Sequence, residues 1–445
     1  MRKIILATVG SMGDLHPLIA IARALKERGF RPVLAVPEDH VAKSIAAGIE
    51  AVAVLPSFAT LCSRTGLGER ETARRLIGNQ RMILEQVILP DLASCTERLE
   101  ALAADAEAII ASGFFLAAPI VAEKLRLPLV SVVLQPMAML SPLDPPNTPD
   151  FWMMKRPPIG ALGAQWNRAM FGIGRAVMDL LYGRHIDRVR REHGLPSTGG
   201  RRMFEASGAV LSLGCYSPLF APLPDDAPAS TALVGFPMFD GASDGGESLD
   251  PALEAFLAAG PAPLIFTLGT FAVMAPNNFY ETAAALARQL GVRAVLLTGS
   301  GVSGQVEEGV FACAYAPHSR LFPRAAAIIH HGGAGTTGQA LRAGKSQLVV
   351  PHMGDQYDHA YRIQRLGVGR RISPRRFTLE RVAPLIADLL GDDLMQARAA
   401  DLGARIAVER GAMVAAAVIE RTLDARRGAA PDVQMEDAPA MLRSA

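Results

Sequence analysis

One glycine-rich segment of the 445-residue chain carries residue types that suit a phosphate group. Residues 330–337 read His-His-Gly-Gly-Ala-Gly-Thr-Thr and follow an apolar run typical of a buried strand. The free amides of the helix predicted from Thr336, with its positive dipole end, favour a diphosphate. The glycines allow close backbone approach, and His331 can donate to a phosphate oxygen. The alternative is a glycine turn with an internally satisfied histidine.

Two further polar groups stand at fixed distances from this segment. Asp355 and Gln356 follow His331 by 24 and 25 residues, just past another apolar run, and their side chains can bind sugar hydroxyl groups. Upstream, residues 315–318 read Tyr-Ala-Pro-His and can hold a nucleobase through backbone groups, with Tyr315 as a stacking surface. Each motif is common when it occurs alone. Their occurrence together, at fixed distances along the chain, indicates a binding site for a nucleotide sugar.

Alternating strands and helices must position these residues. Short buried runs followed by helical patterns predict strands at 3–9, 32–36, 108–112, 129–134, 210–213, 264–268, 294–298, 325–330 and 347–351. This alternation predicts α/β architecture with parallel sheets covered on both faces, and ligands bind such open sheets at their carboxyl edge. Residues 136–158 predict a long functional loop.

The length exceeds one ordinary core and predicts two doubly wound domains. A linker rich in Pro, Gly and Asp separates them, and a long helix and a polar, disordered tail follow. The predicted bounds are 1–220 for the first domain, 221–263 for the linker, 264–401 for the second domain, 402–426 for the helix and 427–445 for the tail.

Charge and composition exclude several classes of protein. A net charge of +2 gives no field that recruits nucleic acid, and four widely spaced cysteines indicate neither a disulfide framework nor a zinc site. The apolar start lacks a cleavage site, and no run of 18 apolar residues exists. We therefore expect a cytoplasmic protein, at most peripheral to a membrane. Ten Lys and Arg against three acidic residues in 155–202 indicate a solvated helix face, or contact with an acidic acceptor or lipid head group.

The segment 317–369 resembles the donor-binding signature of family 1 glycosyltransferases with the GT-B fold, and residues 10–30 resemble the opening of the same family. The resemblance implies two Rossmann-like domains facing each other across a cleft, with donor on the second domain and acceptor on the first. The last helix would cross back to the first domain. The implied reaction is direct displacement at the anomeric carbon, with inversion and without a metal ion or cofactor.

By this resemblance, one set of residues binds the nucleotide sugar. His331 corresponds to the diphosphate-binding histidine, and Asp355 with Gln356 to the pair that holds the sugar. The resemblance also assigns residues around the donor. The phosphate cradle comprises Gly333, Gly335 and Thr336, and Thr270 supplies a hydroxyl near the phosphates. The nucleobase loop contributes Ala316 and His318, and the N-terminal loop contributes Ser11 and Gly13.

The general base has two candidates. Many members of the family place a histidine directly after the glycine of the N-terminal loop, where this chain has Asp14, as in the antibiotic, sterol and rhamnolipid branches. An inverting attack needs a group that takes the acceptor proton. Asp14 can do this as a carboxylate, His16 is the rival, and a third possibility is that neither acts.

One residue bears on the donor. Many UDP-sugar enzymes of the family have a glutamate eight residues after the phosphate-binding histidine, and Gln339 stands there. A neutral amide cannot form the charge-assisted hydrogen bonds that a carboxylate makes with two ribose hydroxyls. This loss matters less for a 2′-deoxyribose, so Gln339 favours dTDP-sugars over UDP-sugars. Segments 234–241, 266–271 and 278–280 resemble rhamnolipid-type rhamnosyltransferases, which implies rhamnose, or else glucose, and a hydroxy-fatty-acid acceptor.

An apolar wall for such an acceptor is predicted from Met137, Met139, Leu140, Leu143, Trp152, Met153 and Met154. These side chains can equally pack the domain core, and flavonoid, sterol or polyketide acceptors suit the same wall. A GT-B epimerase and a non-catalytic partner protein are minor alternatives. No oligomeric state is predicted.

Overall fold

The computed structural model describes residues 1–79, 81–157, 160–199, 203, 208–239, 241, 248–301 and 303–428. Two seven-stranded sheets form its framework. The predicted tail 427–445 lies outside the described residues except for its first two, which belong to the last helix.

The first sheet is parallel throughout, with strand order β3-β2-β1-β4-β5-β6-β7. The chain reverses its direction of progress between β1 and β4, which is where open sheets of this type bind ligands. The strands are β1 (Arg2–Ala7), β2 (Phe30–Pro37), β3 (Glu50–Leu55), β4 (Ala108–Ser112), β5 (Leu129–Val133), β6 (Ala209–Gly214) and β7 (Thr231–Leu233).

Helices cover both faces of this sheet and bury its apolar strands. Their bounds are α1 (Met12–Glu27), α2 (Glu38–Ala46), α3 (Phe58–Thr65), α4 (Glu69–Gly78), α5 (Leu92–Ala103), α6 (Ala117–Leu125) and α7 (Ala161–Glu192). A π-helical turn, 83–88, precedes α5.

The second sheet has the order β10-β11-β9-β8-β12-β13-β14, and its change of direction falls between β8 and β12. Its pairs are parallel except for the edge hairpin β10–β11. The strands are β8 (Leu264–Thr267), β9 (Ala294–Leu297), β10 (Gly304–Glu307), β11 (Val310–Cys313), β12 (Ala327–His330), β13 (Gln347–Val349) and β14 (Gly369–Arg371).

The helices of the second half are α8 (Pro251–Ala258), α9 (Phe279–Leu290), α10 (His318–Leu321), α11 (Ala334–Arg342), α12 (Asp355–Leu366), α13 (Leu379–Gly391), α14 (Asp393–Ala407) and α15 (Gly411–Gly428). The predicted fold class, two Rossmann-like domains of GT-B type, is confirmed by this architecture. No helix in the described part of the chain is long and apolar enough to cross a membrane.

Helix α15 packs on the first domain although it follows the second in sequence. Ala415, Ala416 and Ile419 lie in the same buried cluster as Leu18 of α1. On the surface, the Arg28 guanidinium donates to Glu420 at 2.6 Å. The last helix therefore completes the core of the first domain.

Two segments differ from their predicted form. The predicted linker 221–263 contributes β7 to the first sheet and contains α8. The predicted helix 402–426 is interrupted at 408–410, and its parts belong to α14 and α15. The domain bounds themselves stay predictions.

Candidate active site

The glycine segment predicted to bind phosphate connects β12 to α11 at the change of direction of the second sheet. Gly332 has φ 91°, and a side chain there would lie 2.7 Å from Val349 Cγ1 and 3.1 Å from the Gln356 carbonyl oxygen. Only glycine fits this position. Helix α11 starts from Gly333, which has no side chain to cap the first amides. Those amides are therefore available to an anion.

Two histidines that the sequence did not single out fix Gly332 from both sides. The Gly332 amide donates to His330 Nδ1 at 3.1 Å, and its carbonyl oxygen lies 2.7 Å from His359 Nδ1. His330 Nε2 contacts Gln347 Oε1 at 2.9 Å. Because His330 Nδ1 accepts, its proton is on Nε2. Burial lowers the pKa of His330 to about 4, in keeping with this neutral form.

His331 lies between the start of α11 and the turn that follows β8. Added side chains at Gly269 or Gly333 would overlap its ring. The residue is 9 % exposed, and its Nδ1 has no hydrogen-bond partner among the described residues. Burial, reinforced by neighbouring histidines, holds the pKa of His331 well below its usual value. A neutral imidazole with one unsatisfied buried nitrogen is thus presented at the mouth of the phosphate segment.

Asp355 and Gln356 begin α12, beside this segment. The side-chain oxygen of Gln356, Oε1, accepts from the backbone amides of His352 and Met353 at 2.8 and 3.2 Å and so shapes the turn before α12. Burial raises the pKa of the Asp355 carboxyl, and nearby His359, 3.7 Å away, opposes the shift. Gln356 therefore stabilises the turn before α12, in addition to its predicted contact with the sugar.

The remaining predicted donor residues surround the same edge. Thr270 is exposed in the turn after β8, and Thr336 is buried in the first turn of α11. Ala316 is buried next to His318, whose ring stacks on Phe322 at 4.2 Å between centroids. Burial lowers the pKa of His318 to about 4. Gly335 also lies in the first turn of α11, and the buried Gln339 lies one turn closer to the carboxyl end of that helix.

Across the cleft, Asp14 lies in the first turn of α1, directly after the loop that follows β1. Ser11 is the N-cap of α1, and its hydroxyl oxygen accepts from the Gly13 amide at 3.2 Å. Asp14 Oδ2 accepts from the Ser11 amide at 2.9 Å, which closes a capping box. An added side chain at Gly10, with φ 119°, would overlap this carboxylate. The loop therefore holds Asp14 in one position.

The electrostatic surroundings distinguish the two base candidates. Burial, and then the charge of Asp355 in the second domain, raise the pKa of Asp14 to about 7. Burial, and then Lys43, lower the pKa of His16 to about 3. The His16 ring packs against Phe239 with centroids 5.3 Å apart. Asp14 thus titrates near neutrality, whereas His16 stays neutral.

Two contacts close the cleft on the nucleobase side, and sequence reasoning missed both. Lys43 Nζ of α2 lies 6.0 Å from the centroid of the Tyr315 ring in the second domain. Nearby, the Phe58 and Phe271 rings meet edge to face at 6.2 Å. No local pattern marks Lys43 or Phe58, because their partners lie in the other domain.

A buried ion network joins the loop 136–158 to α12. Arg362 Nε donates to Asp358 Oδ2 at 2.7 Å, and its Nη1 lies 2.8 Å from Asp144 Oδ2. The second Asp358 oxygen accepts from the Asn147 amide at 3.0 Å. The helix that carries Asp355 is therefore tied to the opposite domain.

The residues of the predicted acceptor wall differ in their exposure to solvent. Met154 is buried, and Met139 packs on an apolar cluster shared by the two domains that includes Phe220 and Ile363. Trp152 and Met153 are exposed, whereas Met137, Leu140 and Leu143 are partly exposed. Core packing thus accounts for Met139 and Met154.

Two facing Rossmann-like domains, with the predicted phosphate-binding segment on one and Asp14 on the other, have the arrangement expected of a GT-B glycosyltransferase. Residues 297–420 match the erythromycin biosynthesis protein CIII-like C-terminal domain. The vancomycin aglycone glucosyltransferase of Amycolatopsis orientalis is 30% identical over 382 residues, covering 82% of this chain and 85% of that protein. The chain belongs to family 1 of the glycosyltransferases.

Two further similarities extend along almost the whole chain. The O-mycaminosyltylonolide 6-deoxyallosyltransferase of Streptomyces fradiae is 29% identical over 451 residues, covering 95% of this chain and 98% of that protein. The solved structure of the spinosyn rhamnosyltransferase SpnG, complexed with thymidine diphosphate, superimposes with a TM-score of 0.62 at 21% identity, covering 95% and 100% of the two chains. The protein is therefore an enzyme that transfers a sugar from a nucleotide sugar to a small-molecule acceptor.

Proposed function

We propose that this enzyme transfers a hexose from a dTDP-sugar to a hydroxyl group of an apolar small molecule, with inversion and without a metal ion. The observation that carries the proposal is neutral His331, whose Nδ1 is buried without a partner among the described residues and whose ring lies against Gly333 at the uncapped start of α11. A nitrogen donor and free helix amides together suit a diphosphate. They can stabilise the charge that develops on the leaving nucleotide, which is the task a cation performs in other enzymes.

The proton balance of the reaction assigns a role to Asp14. Its carboxylate takes the proton of the acceptor hydroxyl while that oxygen attacks the anomeric carbon from the face opposite the diphosphate. The bond from carbon to phosphate oxygen breaks, and the nucleoside diphosphate leaves with the electron pair. A base works best when its pKa lies near the working pH, and the pKa of Asp14 is about 7. His16 is less suited, because its pKa is about 3.

Asp355 is proposed to hold the donor sugar. Its partly exposed carboxylate starts α12, close enough to Asp14 for the two charges to interact across the cleft. A sugar bound between them would receive hydrogen bonds from Asp355 on one side and face the base on the other. Gln356 supports this arrangement through the turn it shapes.

The acceptor is proposed to be an antibiotic-type aglycone. The names of the relatives refer to a tylonolide, the vancomycin aglycone and spinosyn, and thymidine diphosphate is bound in one of them. These names favour a polyketide-like acceptor and a dTDP donor. A hydroxy-fatty-acid acceptor and rhamnose as the sugar stay predictions from the sequence.

A donor-by-acceptor screen read by mass spectrometry tests the function. dTDP- and UDP-linked rhamnose and glucose would be combined with macrolide aglycones, hydroxy fatty acids, sterols and flavonoids, with reactions lacking enzyme as the control. We expect a glycosylated product with the anomeric configuration opposite to that of the donor. Release of nucleoside diphosphate without acceptor, or a product of retained configuration, would contradict the proposal.

A further inference from the structure

Helix α7 presents an apolar stripe to solvent. Its buried side includes Asn167, Phe171 and Tyr182. Six of the 18 large hydrophobic side chains that are exposed in the described part of the chain lie on the rest of this helix, namely Leu162, Trp166, Ile173, Val177, Leu180 and Leu181. Leu162 and Leu180 are each 82 % exposed. The solvent side of a surface helix is normally polar, so this stripe marks an interaction surface.

The spacing of the stripe is that of two paired helices. The stripe proper is formed by positions 162, 166, 169, 173, 176 and 180, which hold Leu, Trp, Ala, Ile, Ala and Leu at alternating intervals of four and three residues, and Val177 and Leu181 lie beside it. A repeat of 3.5 residues keeps one seam of a helix facing a partner helix along its length. The stripe contains no charged residue.

The stripe is complementary to itself when one copy is reversed. Its members lie in pairs at equal distances from residue 171, so two antiparallel copies would place Leu162 against Leu180, Trp166 against Ala176 and Ala169 against Ile173. Large residues then face small ones in two of the three layers, which fills space without overlap. A parallel pair would set Trp166 against Trp166 and Ala169 against Ala169.

We propose that α7 is the interface of a twofold-symmetric homodimer, in which two copies of the helix pack antiparallel. Burying about 100 Å² at each of the six exposed side chains on both helices would remove roughly 1,200 Å² from water, the lower end of the range for specific interfaces. The dimer is accordingly weak, with dissociation in the micromolar range. A membrane-bound helix carries a polar face opposite its apolar one, whereas the opposite side of α7 packs on the first domain at Phe171 and Tyr182.

Sedimentation velocity from about 1 to about 200 µM protein tests the interface. We expect the wild type to shift from monomer to dimer over this range and Leu180→Glu to remain monomeric. Leu394→Glu is the matched control, because Leu394 is 70 % exposed on α14 and outside the stripe. A wild type that stays monomeric throughout, or Leu180→Glu dimers of unchanged affinity, would refute the interface.

Cross-linking tests the orientation. The four native cysteines are buried, so a cysteine introduced into the stripe is readily distinguished from them. In the antiparallel pair the two copies of residue 162 are about 27 Å apart. Leu162→Cys and Leu180→Cys should therefore form a disulfide only when mixed. Cross-linking of Leu162→Cys with itself would overturn the antiparallel dimer. Leu180-dependent binding of a monomer to phosphatidylserine vesicles, without self-association, would identify a lipid surface instead.

Discussion

The Arg362 guanidinium lies 2.8 Å from the Asp144 carboxylate, so a helix of the second domain is joined to a loop of the first. Arg362 and its second partner, Asp358, are both nearly inaccessible to solvent. Removing one member of a buried pair leaves an uncompensated charge, which costs about 3–5 kcal/mol.

Arg362→Ala should therefore lower the free energy of unfolding by about 3–5 kcal/mol, because Asp358 would keep a buried charge without its cation. Denaturant unfolding measures this. Arg365→Ala, at an exposed position of the same helix, is the control and should change stability by less than about 0.5 kcal/mol. Equal stability of the two variants would show that the network contributes nothing.

His331→Ala should weaken donor binding by roughly 10–150-fold, since a hydrogen bond to a charged group is worth about 1.5–3 kcal/mol. Titration calorimetry with dTDP measures the affinity directly. His193→Ala serves as the control. His193 pairs with Glu100 in the first domain, whereas the predicted diphosphate site is in the second. Unchanged affinity in His331→Ala would remove this residue from the diphosphate site.

Asp14→Asn should lower kcat by about 10²-fold or more, with dTDP affinity little changed, because the nucleotide is proposed to bind the other domain. The variant keeps an oxygen that can accept from the Ser11 amide, so the capping box survives. A collapse in His16→Ala together with a few-fold loss in Asp14→Asn would transfer the role to His16. A parallel fall in donor affinity would instead show that Asp14 holds the sugar or the closed cleft.

The pH dependence separates the same two candidates. If Asp14 is the base, kcat/KM should rise with pH through about 7, the pKa of Asp14. His16, with a pKa of about 3, would give no such limb between pH 5 and 8. Stability should change in the opposite sense. Because folding raises the pKa of Asp14, its contribution to stability is complete below about pH 4 and is lost as pH rises through about 7.

Gln339→Glu should shift the donor preference from dTDP- towards UDP-sugars. A carboxylate can accept hydrogen bonds from both ribose hydroxyls, and dTDP has only one of them. We expect the UDP/dTDP ratio of kcat/KM to rise by about 5–10-fold, the equivalent of one hydrogen bond of about 1 kcal/mol. An unchanged ratio would mean that this position does not contact the ribose.

Activity should survive treatment with EDTA, because His331 and the α11 amides are proposed to contact the diphosphate without a cation. The assay compares turnover before and after chelation, with added Mg²⁺ and Mn²⁺ as the reference. Strict dependence on either ion would contradict the proposed phosphate chemistry.

Local sequence patterns predicted the parts of the fold that depend on local chemistry. Buried apolar runs located β8, β9 and β12 to within a few residues but did not identify the buried strand β11. The glycine pattern after β12 predicted a turn that needs close backbone approach, and Gly332 has a φ of 91° in that turn. Its binding of phosphate stays a prediction. Edge elements were less predictable. Strand β7 has three residues and lies in a stretch rich in proline and glycine.

Pairs that form only in three dimensions could not be predicted. Asn147 and Asp358 are 211 positions apart and meet only because the two domains face each other. The pKa of Asp14 has the same origin. An isolated carboxyl group titrates near pH 4, and burial together with Asp355 changes that value. Asp14, Asp355 and similar residues can be read from the sequence, but the sequence does not show which residues they will contact in the folded protein.

The return of α15 to the first domain has a consequence for synthesis of the chain. Domains made first usually fold first as the chain emerges from the ribosome. Here Ala415, Ala416 and Ile419 belong to the first domain's core, and they are translated after the whole of the second sheet. The nascent first domain must therefore wait, with the α1 surface beneath α15 uncovered, until translation is nearly finished.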